Sequence, residues 1–462
     1  MQGSFEAVIG LEIHAHLLTA SKMFCGCSTA FGAAPNTQVC PVCLGFPGAL
    51  PVLNRAAVDE AVRAGLALAC TIRETSIFAR KNYFYPDLPK GYQISQYELP
   101  IAAGGTFCGI GITRVHMEED AGKSLHEGFP DSNRKTYVDY NRSGVPLIEI
   151  VTEPHLRSAA AAADFFTRLR ALLVWLGVND GNMEEGSLRC DANVSVREAG
   201  AQTLGTKAEV KNLNSFRFLQ RALDHEISRQ IEVVTSGGRV VQETRLWDGA
   251  AGETVSMRSK EEAHDYRYFP EPDLPPVVVD VERLANIRAR LPELPDETRR
   301  RFVDVYALSD YDAAQLTQSR ALADYFEATV RAAASAKAAA NWIINIAGMS
   351  LPPDRLARLI ALVDRGTISG SIAKGVFEKM AQSDRSAEEI VAADGLAQIS
   401  DEPRITALIH EVLARNAEAV AQYRSGKEST FGFLVGQVMK AAAGKANPAR
   451  VNVLLRGILK AS

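Results

Sequence analysis

Between residues 8 and 17 the chain alternates cleanly. Ile9, Leu11, Ile13, Ala15 and Leu17 fall on one face of an extended strand, and Glu12, His14 and His16 fall on the other, because successive strand side chains point to opposite faces. Residues 188–197 repeat the pattern. Leu188, Cys190, Ala192, Val194 and Val196 point one way; Arg189, Asp191, Asn193, Ser195 and Arg197 point the other. Helical spacing separates these strands. Phe165, Leu169, Leu172, Leu173 and Leu176 form a stripe with Ser158 as N-cap and Gly177 as stop, and Phe216, Leu219, Leu223, Ile227 and Ile231 form a second. Residues 239–247 and 254–258 flank an Asp248–Gly249 turn and predict a hairpin.

Prolines between Pro270 and Pro295 punctuate a change of texture. Beyond them Ala-rich helical patterns dominate, as in 321–349. A second break falls near Asp401–Pro403, followed by helical stripes at Ile405, Leu408, Ile409 and Val412 and at Val451, Leu454, Leu455, Ile458 and Leu459. The pattern predicts an α+β protein of three parts: a β-rich body over 1–290, an all-α helical domain over 291–402, and a small helical tail over 403–462. At about 150 residues per domain, 462 residues agree with that division.

Composition narrows the class. With 47% hydrophobic and 23% charged residues the chain is not disordered, collagenous or coiled-coil. The net charge of −4 excludes a basic footprint over the whole molecule. The charge is uneven, however: from Ala421 to Ser462 seven cations face one anion, Glu428. That tail is either a solvated helical face or a contact for a polyanion. No run of about 18 apolar residues is present, and the first 22 residues lack a basic leader. The expectation is a cytoplasmic protein without membrane contact.

Three groups of residues could carry chemistry. Cys25-x-Cys27-x12-Cys40-x2-Cys43 places four thiols in two close pairs, the spacing of a structural tetrahedral zinc site. Cys70, Cys108 and Cys190 sit in apolar surroundings and read as core residues. The second group is acidic. Glu12 and His14 share a strand face, His116, Glu118, Glu119 and Asp120 are consecutive or nearly so, and Glu149 interrupts the apolar run 147–151. A carboxylate in such a run is costly to bury unless paired or metal-bound. Carboxylates meeting around a cation would hold Mg²⁺ for phosphate chemistry, although 118–120 alone could be a solvated strand end. The third group is Arg80 to Gln96, where Lys81, Tyr83 and Tyr85 put cations beside aromatics. It could hold phosphates and a base, or be a surface hairpin. Lys207, Glu209 and Lys211 form a further polar face, which an ordinary salt-bridged strand would also show. Ala121-Gly122-Lys123-Ser124 is not a phosphate loop, because Met117 stands where the first glycine is needed. Met117-Glu118-Glu119 recurs as Met183-Glu184-Glu185, a hint of duplication.

The stretch Val138-Asp139-Tyr140-Asn141-Arg142-Ser143-Gly144-Val145-Pro146-Leu147-Ile148-Glu149-Ile150-Val151-Thr152-Glu153-Pro154 resembles the signature of the B subunits of aspartyl/glutamyl-tRNA(Asn/Gln) amidotransferases, the GatB/GatE family. The opening Val8 to His14, the segments 80–96, 112–124, 183–197, 206–216 and 264–273, and the tail segment Gly432 to Leu455 resemble it too. The resemblance implies a glutamine synthetase/guanidino kinase-like body. It implies ATP-dependent phosphorylation of the side-chain carboxylate of Glu-tRNA(Gln) or Asp-tRNA(Asn), then amidation by ammonia. It assigns Glu12, His14, Glu119 and Glu149 to Mg²⁺ (Mn²⁺ would also suit a histidine ligand). It makes Lys81 a phosphate contact, with Tyr83, Tyr85, Lys207 and Lys211 at the nucleotide. No amidase signature is present, so ammonia would come from an amidase-signature glutaminase, the family's A subunit, braced by a small C subunit in a heterotrimer. The basic tail then becomes a tRNA contact. His16 stands where family members often carry an acidic or amide residue and is not counted as a ligand. The four-cysteine site occurs in some members and is degraded in others. Two rival readings are an ATP-dependent ligase of a small carboxylic acid and a non-enzymatic zinc-containing tRNA-binding protein.

Overall fold

The computed structural model describes residues 5–257, 266–332, 334–399 and 401–461. The last residue of the predicted hairpin, at 258, and the start of the 264–273 segment lie outside them. The chain forms two compact units, Met1–Leu294 and Pro295–Ser462.

The first unit is built on a twelve-stranded mixed sheet, counted among the described residues. Its strands are β1 (Phe5–His16), β2 (Thr71–Ile72), β3 (Phe78–Asn82), β4 (Tyr92–Gln96), β5 (Ala102–Phe107), β6 (Ile110–Glu119), β7 (Pro146–Thr152), β8 (Leu188–Glu198), β9 (Ala208–Lys211), β10 (Thr244–Asp248), β11 (Glu253–Ser256) and β12 (Phe269–Pro270). The spatial order is β11-β10-β9-β8-β1-β7-β6-β4-β3-β12, and β5 joins β6 to β2. Every pair is antiparallel except β9–β10. The alternation predicted for 8–17 and 188–197 appears as the two adjacent central strands, β1 and β8, which pair along eleven positions from Phe5↔Glu198 to Ala15↔Leu188.

One face of this sheet is apolar. Ile9, Leu11, Ile13, Ala15, Val115, Met117, Ile148 and Ile150 are buried against three helices: α1 (Arg55–Ala67), α2 (Ala159–Trp175) and α3 (Phe216–Thr235). Each large side chain removed from water here contributes about 1.5–3 kcal/mol. The signals predicted for α2 act as expected: Ser158 Oγ accepts the Ala161 N–H at 3.1 Å, and Gly177 takes φ +67° just past α2. Ser215 Oγ caps α3 in the same way, accepting the Phe218 N–H at 3.0 Å.

The second unit is helical among its described residues, from α5 (Pro295–Tyr306), the helix after α4 (Val281–Ala289), to α15 (Pro448–Ala461). The 321–349 pattern is not one helix. It divides into α7 (Arg320–Arg331), α8 (Ala336–Trp342) and a π-turn at Ile343–Ala347. Residues Ile405, Ile409, Val412, Leu434, Val438, Val451, Leu455 and Leu459 make a core of their own, drawn from α12 (Glu402–Arg415), α14 (Ser429–Ala441) and α15. Six of the seven tail cations, Arg424, Lys427, Lys440, Arg450, Arg456 and Lys460, are exposed around that core. The two Met-Glu-Glu triplets are not equivalent: the first ends β6 and the second lies in a turn. They mark no duplication.

Candidate active site

The other face of the sheet is polar, and cross-strand register assembles it. His14 of β1 lies opposite Glu149 of β7 and Arg189 of β8; Glu12 lies opposite Asp191. Glu149 lies opposite His116 of β6, and Leu147 opposite Glu118. Asn193 faces Glu209 of β9, and Gln93 of β4 faces Lys81 of β3. Residues far apart in the chain thus become neighbours on one surface.

At the centre, His14 Nε2 lies 3.1 Å from Glu149 Oε2, and His116 Nε2 lies 3.1 Å from Glu118 Oε1 and 3.5 Å from Glu149 Oε2. Ser95 Oγ donates to Glu118 Oε1 at 2.7 Å, and Gln93 Nε2 donates to Glu118 Oε2 at 3.1 Å. Burial alone would drive the Glu118 carboxyl to its neutral form. The hydrogen bond and charge of His116, with Lys81 and His14, overcome it and hold Glu118 below the ordinary carboxylate range. Glu149 is lowered in the same way by His116 and His14, against burial. Burial acts against the charge of His14, but Glu149 raises its pKa. Glu12 is raised by burial and by the neighbouring Glu149, although Asn193 Nδ2 donates to it at 2.9 Å. Donor atoms of His14, Glu118 and Glu149 lie within 4.8 Å of one another, and a mixed nitrogen–oxygen set of this kind suits Mg²⁺ or Mn²⁺.

Two cavities open on this face. One of about 450 Å³ is lined by Lys81, Tyr83, Glu118, Asp120, Arg142, Arg189 and Lys211, among others. One of about 270 Å³ is lined by Glu12, His14, Glu149, Lys81, Tyr266 and Tyr268, among others. Lys81 lies in both, 5.0 Å over the Tyr266 ring. Burial disfavours its charge, but Glu118, Tyr268 and Glu149 raise its pKa, so it is a cation. Asp120 is buried and bound by His16 Nε2 at 2.6 Å and Arg189 Nη2 at 2.9 Å. His16 is therefore engaged with Asp120, away from the His14 cluster.

The structure gathers Glu12, His14, Glu149, Lys81, Tyr83 and Lys211 on this face. Lys211 is held by Asp191 at 2.7 Å and Glu209 at 2.8 Å. It does not bring Glu119 there. Glu119 follows Glu118 on β6 and so points to the opposite side, where it pairs with the ammonium of Lys90 and accepts the Ile94 N–H at 3.0 Å. Glu118 takes the place expected for Glu119. Tyr85 and Lys207 are exposed and line neither cavity. His116 and Glu118 belong to the acidic stretch visible in the sequence, and alternation through Val115 and Met117, which are fully buried, separates them from Glu119.

The four cysteines converge. Sulfur atoms of Cys25, Cys27, Cys40 and Cys43 lie within 4.8 Å of one another, a donor set that fits tetrahedral zinc. The Cys40 N–H donates to Cys43 Sγ at 3.1 Å, and Lys22 Nζ donates to it at 3.7 Å. A hydrogen bond from Cys25 together with these groups holds the Cys43 thiol below its ordinary value, against burial.

Residues 7–285 match the family model described as GatB/GatE catalytic domain. The chain belongs to the GatB/GatE family. A second model of that family, described as GatB domain, matches residues 324–459. Among similar proteins are those named as the B subunit of aspartyl/glutamyl-tRNA(Asn/Gln) amidotransferase. The one from Geobacter sulfurreducens is 55% identical over 99% of this chain and 100% of the relative. Those from Carboxydothermus hydrogenoformans and Moorella thermoacetica are 54% identical over 98% of each chain, and 55% identical over 98% of this chain and 99% of the relative. These GatB/GatE relatives are named for a tRNA-dependent amidotransferase, not for a ligase of free carboxylic acids. No helix among the described residues is long and apolar enough to cross a membrane.

Proposed function

We propose that this chain is the subunit that activates and amidates the side-chain carboxylate of Glu-tRNA(Gln), Asp-tRNA(Asn) or both, using ATP. Full-length kinship to the B subunits supports the reaction. The observation that carries its location is the His14–Glu118–Glu149 cluster with Lys81 beside it.

A carboxylate is a poor acyl donor because its leaving group would be oxide. Transfer of the γ-phosphoryl group of ATP to a carboxylate oxygen makes phosphate the leaving group. Ammonia then attacks the acyl carbon, phosphate departs, and a proton is lost from nitrogen. The chain's own part is to place charge and exclude water. His14, Glu118 and Glu149 would hold a divalent cation, which neutralises charge on the transferring phosphoryl group when bound. Lys81, Arg142 and Arg189 supply fixed cations on the walls of the larger cavity for the phosphates. Tyr83 is half-buried along the same wall and offers an aromatic face.

The body is a sheet with one face on helices and the other open and rich in carboxylates, which supports a glutamine synthetase/guanidino kinase-like architecture. The four cysteines hold a structural zinc ion. Ammonia is supplied by a separate amidase-signature glutaminase, the A subunit, with a small C subunit bracing the pair. Residues 403–462 form a tRNA-binding module, supported by their separate core and exposed cations.

The test is reconstitution with the A and C partners, ATP, Mg²⁺, glutamine and Glu-tRNA(Gln) or Asp-tRNA(Asn). Amidated aminoacyl-tRNA from wild type and none from Glu149→Gln is expected. No product with either tRNA, in a complex whose glutaminase is active, would overturn the reading.

A further inference from the structure

The turn over 138–145, whose first two residues end a short strand at Tyr137–Asp139, lies between the cysteine knuckle and the larger cavity, and its hydrogen bonds run in both directions. On the knuckle side, the Asn36 N–H donates to Asp139 Oδ1 at 3.0 Å, Asn36 Nδ2 donates to the Val138 carbonyl at 3.0 Å, and Asn36 Oδ1 accepts the Tyr140 N–H at 2.8 Å. Asn141 Oδ1 accepts the Gln38 N–H at 2.9 Å, and Asn141 Nδ2 donates to the Ala34 carbonyl at 2.7 Å. Ser143 Oγ donates to the carbonyl of Cys43 itself at 3.1 Å. Lys22 is fully buried, and its Nζ donates to the Gln38 carbonyl at 2.8 Å and the Tyr140 carbonyl at 3.4 Å while reaching Cys43 Sγ. Gly144 has φ +85°, a left-handed conformation that favours glycine, and it packs in ordinary contact range of Cys43 and Lys22.

On the cavity side, the same turn presents Arg142. Its Nε donates to the Ala121 carbonyl at 3.0 Å and its Nη2 to the Gly122 carbonyl at 2.7 Å, and Nε lies 3.5 Å from Asp120 Oδ2. The backbone closes the unit: the Gly144 N–H donates to the Asp120 carbonyl at 2.9 Å, and the Asp120 N–H to that of Val145 at 2.8 Å. Arg142 and Arg189 flank Asp120 and line the cavity. The Asn36 bonds and that of Asn141 to Ala34 are exposed, whereas the bond of Ser143 to Cys43 and the contact of Lys22 with Cys43 are buried and so cost most to leave unmade.

We propose that the cysteine knuckle positions Arg142: Asn36, Asn141 and Lys22 tie the turn 138–145 to the knuckle and thereby set the guanidinium that contacts the phosphates of the nucleotide in the larger cavity. The inference rests on the reading of that cavity as the phosphoryl-transfer site. It makes Asn36, Asn141 and Lys22 positioning residues and Arg142 the contact residue. It also gives the knuckle a task beyond holding its own loop, since its order is read out at a cavity wall.

Two measurements test it. The first is hydrogen exchange over 139–145 in the full-length chain, zinc-loaded or stripped by a chelator, in wild type and Asn141→Ala. Stripping and the substitution should each speed exchange there by about tenfold or more, the worth of one or two lost hydrogen bonds, while the β1 core amides stay protected. The second is kinetics of the complex with its A and C partners. Arg142→Ala and Asn141→Ala should each raise KM for ATP roughly tenfold and change kcat by less than about twofold. Asn141→Asp keeps the acceptor for the Gln38 N–H and should recover part of the loss. Unchanged exchange over 139–145 on stripping would overturn the proposal whatever the activity. An unchanged KM for Arg142→Ala in a complex whose wild type is active would also overturn it. Absence of product from wild type would instead count against the functional reading, leaving exchange to decide this one. If Asn141→Ala does not fold, stripping and Arg142→Ala decide alone.

Discussion

The cysteine knuckle and the carboxylate–histidine cluster are both tight donor sets, and they are assembled by different means. The knuckle draws its four sulfurs from one stretch, Cys25 to Cys43, outside the sheet. The cluster draws His14, Glu118 and Glu149 from three strands whose order in space, β1-β7-β6, is not their order in the chain. The knuckle's thiols lean chiefly on one another and on Lys22. The cluster's carboxylates are bonded to His14, His116, Ser95 and Gln93. Loss of metal should therefore loosen the knuckle far more than the cluster, whereas loss of a single side chain should disable the cluster's chemistry and leave its fold intact.

The largest expected effect lies on the cluster. Glu149→Gln should lower amidation by on the order of 10²–10³-fold while changing the melting temperature little, because relief of its repulsion with Glu118 and Glu12 offsets the weakened pairing with His14 and His116, measured by product formation and calorimetry on the same preparation. A comparable fall in stability would erase the contrast between the two sets. Next, Cys43→Ser should cost the knuckle its zinc, read by elemental analysis. It should lower the melting temperature by roughly 5–10 °C, because structural zinc binding is folding free energy. A change of similar size is expected from Glu119→Gln. The side chains of Glu119 and Lys90 are both almost wholly shielded from water, so halving the pair's charge should destabilise the body by about 3 kcal/mol in denaturant titration.

The smallest effect sharpens the comparison with a carboxylate that has no chemistry to perform. Glu60 of α1 has one oxygen buried without a hydrogen-bond partner, and burial pushes its pKa up to about 7 against the pull of Arg63 and the Leu18 backbone. Between the ordinary value of 4.5 and about 7, the unfolded chain gives up a proton that the folded chain keeps. Stability is thus lost as pH rises through that window. Glu60→Gln should match wild type at pH 5 and melt a few degrees higher at pH 8. Equal melting at both values would show that Glu60 is solvated.

How far each region can be read from sequence follows from the same contrast. The knuckle is legible because local spacing is enough to bring four thiols together. β1, β8, α2 and α3 are legible because each carries a complete period and, for α2, a capping serine. Glu149 stands out because a carboxylate within Leu147–Val151 needs a partner. The choice between Glu118 and Glu119 is different: both are acidic, adjacent and buried, and only the phase of β6 separates them. The phase is visible in Val115 and Met117, but the partners it selects, Glu149 on one side and Lys90 on the other, depend on pairings that no local pattern contains. The knuckle's ties to Arg142 are likewise long-range, from residues 34–43 to residues 138–145.

The measurement that bears most directly on the cluster is Mn²⁺ binding, followed by electron paramagnetic resonance, to the full-length wild type, Glu118→Gln and Glu119→Gln. One site in wild type, lost or weakened at least about tenfold in Glu118→Gln and kept in Glu119→Gln, is the result the sheet geometry predicts. Loss in Glu119→Gln with an intact site in Glu118→Gln would contradict it and return the ligand to the other side of β6.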